Sequence, residues 1–180
     1  MKYCELVEKI GRENIAYNDL LQTDEWIMRR NEIVNRDKNQ CTKCGSPKTF
    51  WYNGGNYFTL ERWRKVKGGS KKILISSSVK TDHPIYLHVH HKYYILERLP
   101  WEYGNTELIT LCDTCHWELH QEEGVKIYEE KEDGNIELDY TLCSKCKGAG
   151  VFPEYSHIQS GICFRCNGSR FEELIDKTIG

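Results

Sequence analysis

The stretch LHVHHKYYILERLPWEYGNTELITLCDTCHWELH, Leu87 to His120, decides how the chain is read. It gathers His88, His90, His91, His116 and His120 with Cys112 and Cys115 into 34 residues. Imidazole and thiolate are the ligands that borderline divalent ions prefer, so such a concentration points to metal. His116 and His120 stand four apart, which on a helix sets both rings on one face, one turn apart. Asp113 and Thr114 are candidate N-caps for that helix. On a strand His90 and His91 point to opposite sides, so one can ligate a metal while its neighbour does something else. His88 shares the face of His90 and is a reserve ligand. Gly104-Asn105-Thr106 reads as a turn.

Outward from this stretch, Cys41-Thr42-Lys43-Cys44 matches Cys112-Asp113-Thr114-Cys115. Eight of the nine cysteines fall into four CxxC pairs (41/44, 112/115, 143/146 and 163/166), and Cys4 is left over. Zinc-knuckle spacing in four pairs predicts two Cys4 sites. Disulfides are not expected, because Met1-Lys2-Tyr3-Cys4-Glu5 opens charged, without the apolar segment of a signal peptide. A reducing cytoplasm is the expected compartment. No run approaches the apolar length of a membrane span, so no membrane partner is expected. Apolar residues make up 39% and the mean hydropathy is −0.67. That is lean for a globular chain, and metal is expected to replace part of the missing core.

The order CxxC, then His-His, then CxxCHxxxH resembles the HNH endonuclease family, in the variety whose ββα-metal core is clamped by two CxxC knuckles. The carriers are Arg29-Arg30 and Arg36-Asp37 before Cys41, Val89-His90-His91, Asn105, Leu111-Cys112-Asp113-Thr114-Cys115-His116 and the closing His120. The resemblance spans residues 23–121. It implies a structural zinc on Cys41, Cys44, Cys112 and Cys115, and a catalytic divalent ion on His90, His116 and His120 at the scissile phosphate. It further implies that His91 is the general base and that Asn105 steadies the hairpin and the base. The reaction implied is hydrolysis of DNA phosphodiester bonds, leaving 5′-phosphate and 3′-hydroxyl ends. Mg2+, Mn2+, Ni2+ and Zn2+ all remain open as the catalytic ion.

The rest of the chain is expected to support or extend this unit. Residues 1–22 read as an N-terminal arm or helix with Leu6, Val7 and Ile10 apolar. A helix is predicted from Thr23 to Arg36, capped by Thr23, with Trp26 and Ile33 on one face. Arg29, Arg30, Arg36 and Lys38 bring cations beside the first knuckle, some of them candidates for phosphate contact. Residues 45–86 form an insertion in which seven basic residues and no acidic one lie between Arg62 and Lys80. Arg62, Arg64, Lys65, Lys67, Lys71 and Lys72 are its candidate DNA-binding residues, on two arms joined at Gly68-Gly69. Phe50, Trp51, Tyr52, Tyr57 and Phe58 are expected in the core rather than against bases. Tyr93, Tyr94, Trp101 and Tyr103 are expected to pack the loop between the metal-binding strands.

Residues 122–142 alternate as an acidic β-hairpin linker with an Asp-Gly turn. At 143–170, Cys143-Ser-Lys-Cys146-Lys-Gly148-Ala-Gly150 is repeated as Cys163-Phe-Arg-Cys166-Asn-Gly168-Ser-Arg170, with a tail at 171–180. CxxCxGxG twice resembles a single DnaJ-type zinc module, with Arg170 in place of the last glycine. It implies a second structural zinc on Cys143, Cys146, Cys163 and Cys166. No His-Pro-Asp motif precedes it, so a co-chaperone role is not expected. The charge changes sign near the start of this half: 18 basic and 15 acidic residues in 1–120 (+3), against 7 and 12 in 121–180 (−5). The expected architecture is α+β, a small zinc-stabilised ββα-metal domain followed by a β-rich zinc ribbon. The expected partner is DNA, while a homodimer and a protein partner for the C-terminal module are left open. The rival reading is a catalytically inactive, zinc-stabilised DNA-binding or adaptor module. A redox protein working through its CxxC pairs fits poorly, because all four pairs serve better as ligands. If metal substitutes for core, strong chelation unfolds at least part of the chain, and an unchanged circular dichroism spectrum in excess chelator refutes this.

Overall fold

A computed structural model describes residues 1–65, 72–152, 155 and 158–175. The element on which the others are set is α3, Asp24–Arg36, preceded by α1, Tyr3–Ile10, and the single turn α2, Tyr17–Leu20. Thr23 caps α3 as expected: its hydroxyl accepts the Trp26 amide at 3.3 Å, and Asp24 and Glu25 sit at the positive end of the helix dipole. Trp26, Ile33 and Val34 form its buried face. Leu6 of α1 packs with Ile15 and Leu20, against which Leu99 and Trp101 also lie.

Five strand pairings follow among the described residues, four antiparallel and one parallel. β1 (Phe50–Tyr52), β2 (Gly55–Lys65) and β3 (Lys72–Thr81) make one antiparallel sheet. Asn53 and Gly54 join β1 to β2 with φ of 43° and 74°, the left-handed pair that a tight hairpin turn demands. The two arms expected around Gly68-Gly69 pair in register from Asn56↔Thr81 to Lys65↔Lys72, whereas Lys67, the glycines and Lys71 lie outside the described residues.

β4 (Leu87–His91) pairs with β6 (Leu108–Cys112), with His90 opposite Ile109 and His91 opposite Leu108, and β6 runs straight into α4, Asp113–Glu122. The N-cap of α4 is Cys112, not Asp113 or Thr114. Asp113 turns outward instead, where its carboxylate accepts the Tyr86 amide at 3.0 Å. The loop between β4 and β6 carries β5, Tyr94–Ile95, which pairs in parallel with β7, Ile127–Lys131. β7 turns at Glu132-Asp133 into β8, Gly134–Leu138, so Gly134 opens the return strand, one residue beyond the expected Asp-Gly turn.

Two expectations are corrected. Phe50, Trp51 and Tyr52 are 42%, 70% and 60% exposed, so this aromatic run is surface, not core. Ile73, Leu74 and Ile75 on β3 of the same sheet are exposed as well. The C-terminal segment is also not a ribbon of strands: among its described residues, the single bridges Leu142↔Phe171 and Val151↔Ile162 hold it. No described helix is long and apolar enough to cross a membrane.

The core is divided among small clusters rather than gathered in one. Val34, Leu87 and Leu111 surround the first cysteine group, and Ile33 packs with Tyr103 and Leu108. Tyr94, Val125 and Ile127 enclose Phe171 of the C-terminal segment. Three cations expected near DNA each bond backbone carbonyls inside this frame. Arg29 donates to the Tyr103 carbonyl at 2.7 Å and Arg30 to that of Leu87 at 2.6 Å. Arg36 donates to the carbonyls of Asn105 and Leu108, and its neighbour Asp37 accepts the Thr110 amide at 2.9 Å. Arg36→Ala therefore removes charge-assisted bonds that tie β6 to α3, and is expected to cost roughly 1–3 kcal/mol in urea unfolding. Glu32→Ala, which breaks only an exposed ion pair with Arg29, is expected to stay within about 0.5 kcal/mol; equal losses refute the clamp.

Candidate metal centres and active site

The two cysteine groups form where the sequence predicted. Cys41, Cys44, Cys112 and Cys115 lie with their sulfurs within 4.8 Å of one another, as do Cys143, Cys146, Cys163 and Cys166. The Cys44–Cys112 sulfurs are 3.7 Å apart, Cys143–Cys163 3.9 Å and Cys146–Cys166 3.7 Å. A disulfide needs about 2.0 Å. A tetrahedral zinc, with sulfur at about 2.3 Å, sets its ligands about 3.8 Å apart, so both groups fit that ion.

Local backbone chemistry builds each knuckle. Cys41 accepts the Gly45 amide on its carbonyl at 2.8 Å, closing a turn that Gly45 completes at φ 77°. In the second group the Gly150 amide points at the Cys146 sulfur, 3.2 Å away, and the Arg170 amide does the same for Cys166. Burial and mutual proximity hold the Cys112, Cys115 and Cys163 thiols up. Cys44 departs from them: against the effect of burial, hydrogen bonds from Ser46 draw it down to about 6. One thiolate is thus ready at neutral pH, while Cys112 and Cys115 need a cation to ionise.

A third group joins β4 to α4. His90, His116 and His120, all buried, bring their ligand nitrogens within 4.8 Å. The Nε2 atoms of His116 and His120 are 3.2 Å apart, close to the roughly 3.3 Å edge set by metal–nitrogen bonds of about 2.0–2.1 Å. The Nδ1 atoms of all three are buried without a hydrogen-bond partner. Burial lowers His90 to about 4 and His120 to about 2, so the rings are neutral and carry lone pairs. Neutral, convergent and dry, this trio fits a divalent ion. His88 is not its fourth member: it stacks on the His116 ring at 5.2 Å and faces Asp113, with Nε2 3.5 Å from Oδ1.

His91 leaves the strand on the other side, as alternation requires. Its ring stacks on Trp26 at 5.3 Å and meets the Tyr103 ring edge-on at 4.5 Å. Its Nε2 lies 2.9 Å from the Pro100 carbonyl oxygen. A carbonyl only accepts, so Nε2 bears the hydrogen and Nδ1 the free lone pair. Burial lowers this imidazole to about 3, and the Pro100 carbonyl partly opposes that. Asn105 does not hold His91. It stands exposed on the turn before β6, and its part in steadying the hairpin runs through its backbone oxygen, bound by Arg36. The Pro100 carbonyl takes the orienting role, and no side-chain motif could have announced a backbone oxygen.

His88, His91 and His116 line one cleft of about 390 Å³ together with Arg30 and Arg170. On the distant β2–β3 ribbon, cross-strand register puts Arg62 beside Ile75 and Arg64 beside Ile73 on one face, and Lys72 on the other. The Lys65 side chain, Lys67 and Lys71 lie outside the described residues. Arg62, Arg64 and Lys72, the described members of the basic set, therefore do not share one face, and none of these three lines the histidine cleft.

Acid should undo this centre. His90, His91 and His120 have folded values below their ordinary 6.5, so the unfolded chain binds protons first. Stability is complete above that value and is lost as pH falls from 6.5 toward 4. A melting temperature that stays flat between pH 7 and 5 refutes the buried neutral histidines. Comparison with protein-family models, curated proteins and solved structures finds no match for the chain, so the reading of the site rests on its geometry.

Proposed function

We propose that the chain is a metal-dependent endonuclease of the HNH type, hydrolysing phosphodiester bonds of DNA. The observation that carries this reading is the division of labour between adjacent histidines. His90 joins His116 and His120 in a neutral trio, while His91 is locked by Pro100 as an Nδ1 base, and one cleft reaches both His91 and His116.

The trio His90, His116 and His120 would hold the divalent ion, which when bound supplies Lewis-acid stabilisation to the phosphate and to the departing 3′ oxygen. The protein's own part is proton transfer and positioning. His91 Nδ1 takes one proton from a water as its oxygen attacks phosphorus. The P–O3′ bond breaks, and the 3′ oxygen ends as a hydroxyl with a proton from solvent. Burial makes free His91 a weak base, and an anionic phosphodiester in the cleft offsets this by favouring the imidazolium. The Pro100 carbonyl fixes the tautomer and stabilises the ring once protonated. Stacking on Trp26 keeps the ring from turning, which preserves the attack geometry. The Cys4 groups take no part in the reaction and position α4 and the C-terminal segment.

Exposed Arg62, Arg64, Trp51 and Tyr52 on the β1–β3 sheet supply charge and flat apolar surface suited to a nucleic-acid backbone and bases. That sheet is also the feature that favours the second reading, a DNA-binding module without turnover. Supercoiled plasmid with Mg2+, Mn2+ or Ni2+ separates the two. Wild type is expected to nick, and His91→Ala to lose at least about 100-fold of the rate with both Cys4 zincs retained. Wild type that shifts DNA yet cuts with none of these ions makes the chain a binding module.

A further inference from the structure

The C-terminal repeat breaks its own pattern at Arg170, and the fold makes room for the break. Arg170 has φ 74°, a left-handed conformation that glycine adopts without strain, as the first copy's Gly150 does at φ 73°. The two positions face each other: a Cβ on Gly150 would stand 3.2 Å from the Arg170 guanidinium carbon. That carbon lies 4.6 Å from the Tyr17 ring centre and 4.7 Å from that of Tyr94. Only 8% of Arg170 is exposed, yet it lines the cleft shared by His91 and His116.

Its polar needs are not met. The Arg170 guanidinium donates to the Gly168 carbonyl at 2.6 Å, while its Nε is buried without a partner. Arg30, on the same cleft, makes its hydrogen bond to the Leu87 carbonyl. Among the described residues neither arginine has a carboxylate within ion-pairing distance. A guanidinium has five N–H donors, so most of those on both side chains lack an acceptor. Docking the C-terminal segment accounts for the stacking on tyrosine. The Cys146 and Cys166 sulfurs help hold the Arg170 charge against burial, but nothing in that docking accounts for two arginines on one cavity wall whose remaining N–H groups have no protein acceptor among the described residues.

We infer that Arg30 and Arg170 form a phosphate subsite beside the histidine trio, so that the C-terminal Cys4 module delivers a substrate-binding arginine into the cleft. The ligand is a phosphodiester of the DNA backbone, which rests on the nuclease reading above. Planar guanidinium groups suit bidentate contact with a phosphate, and a cleft that also reaches the neutral His91 and His116 rings brings that phosphate to the reacting centre. The second module thereby becomes part of the substrate site and not an attachment to it.

The test is equilibrium binding of a short labelled DNA duplex to full-length, zinc-replete protein without added catalytic ion, measured across a salt series. Wild type, Arg30→Gln and Arg170→Gln are compared, with zinc content and melting temperature recorded for each. A lost phosphate contact lowers the slope of log K against log salt by about 0.9, whereas a lost structural contact leaves the slope unchanged. The expected result is a reduction of about that size in each variant, with two zincs kept. Unchanged slopes in variants of a wild type that binds overturn the subsite and leave the nuclease reading standing. A wild type that binds no DNA overturns both. Should Arg170→Gln lose zinc, Arg30→Gln decides the matter, with Arg170→Lys as the variant that keeps charge but loses the fork.

Discussion

Four thiols brought within 4.8 Å of one another can be neither comfortably ionised nor comfortably buried. As thiolates they repel, and as thiols they forfeit their hydrogen bonds to water, so only a dication resolves the first group. Its position in the chain makes this constraint general. Cys41 follows α3, Cys112 ends β6, and Cys115 stands in the first turn of α4. Closing the group fixes the angle at which α4 leaves the strand, and with it the positions of His116 and His120. Around it pack Val34, Leu87 and Leu111, with Ile85, Val89, Ile109 and Leu119 partly buried beside them. Arg36 and Asp37 finish the work from the α3 side by binding the backbone of the turn and of β6. The placement of the histidine trio is therefore a consequence of the cysteine group and its polar braces together with the packing around them.

The second consequence concerns adjacent histidines. Strand alternation separates the His90 and His91 rings, yet a flat sheet would strand one of them on the far side of the protein. Here the far side is occupied. Trp26 from α3 and Tyr103 from the loop close over His91, and the Pro100 carbonyl reaches its Nε2. The loop between β4 and β6 is long because it must travel around the ring to do this. β5, which pairs with β7, anchors that loop to the third sheet. A strand pairing that looks remote from the site thus sets the height of the Pro100 oxygen and the tautomer of His91.

Local rules carried the sequence reading where one side chain or one period decides the outcome. The span of α3 followed from Thr23 and its acidic first turn, and the shared face of His116 and His120 from i, i+4 spacing, while His90 as their partner came from the family resemblance. Both cysteine groups followed from CxxC spacing. The failures have a shared cause: each concerns which partner a capable residue finds. Arg29 and Arg36 looked like phosphate ligands, but distant carbonyls claim them. Phe50 to Tyr52 looked like core, but their side chains are exposed on the sheet. Asn105 looked like the brace of His91, and a backbone oxygen holds it instead. Composition and period say what a residue can do, while long-range pairing decides whether it is free to do it.

Arg170 shows the opposite case, where an irregularity carried more than the pattern. Two copies of CxxCxGxG would be enough to fold a zinc module, and a glycine at position 170 would relieve the backbone strain of φ 74°. The chain instead places its largest cation there, takes on that strain, and leaves Gly150 without a side chain so that the guanidinium has space. Backbone strain favours the glycine, whereas the two tyrosine faces and the Cys146 and Cys166 sulfurs hold the guanidinium charged against burial. A guanidinium fixed in this way loses little freedom on meeting a ligand, which is the preorganisation that the proposed phosphate subsite would use.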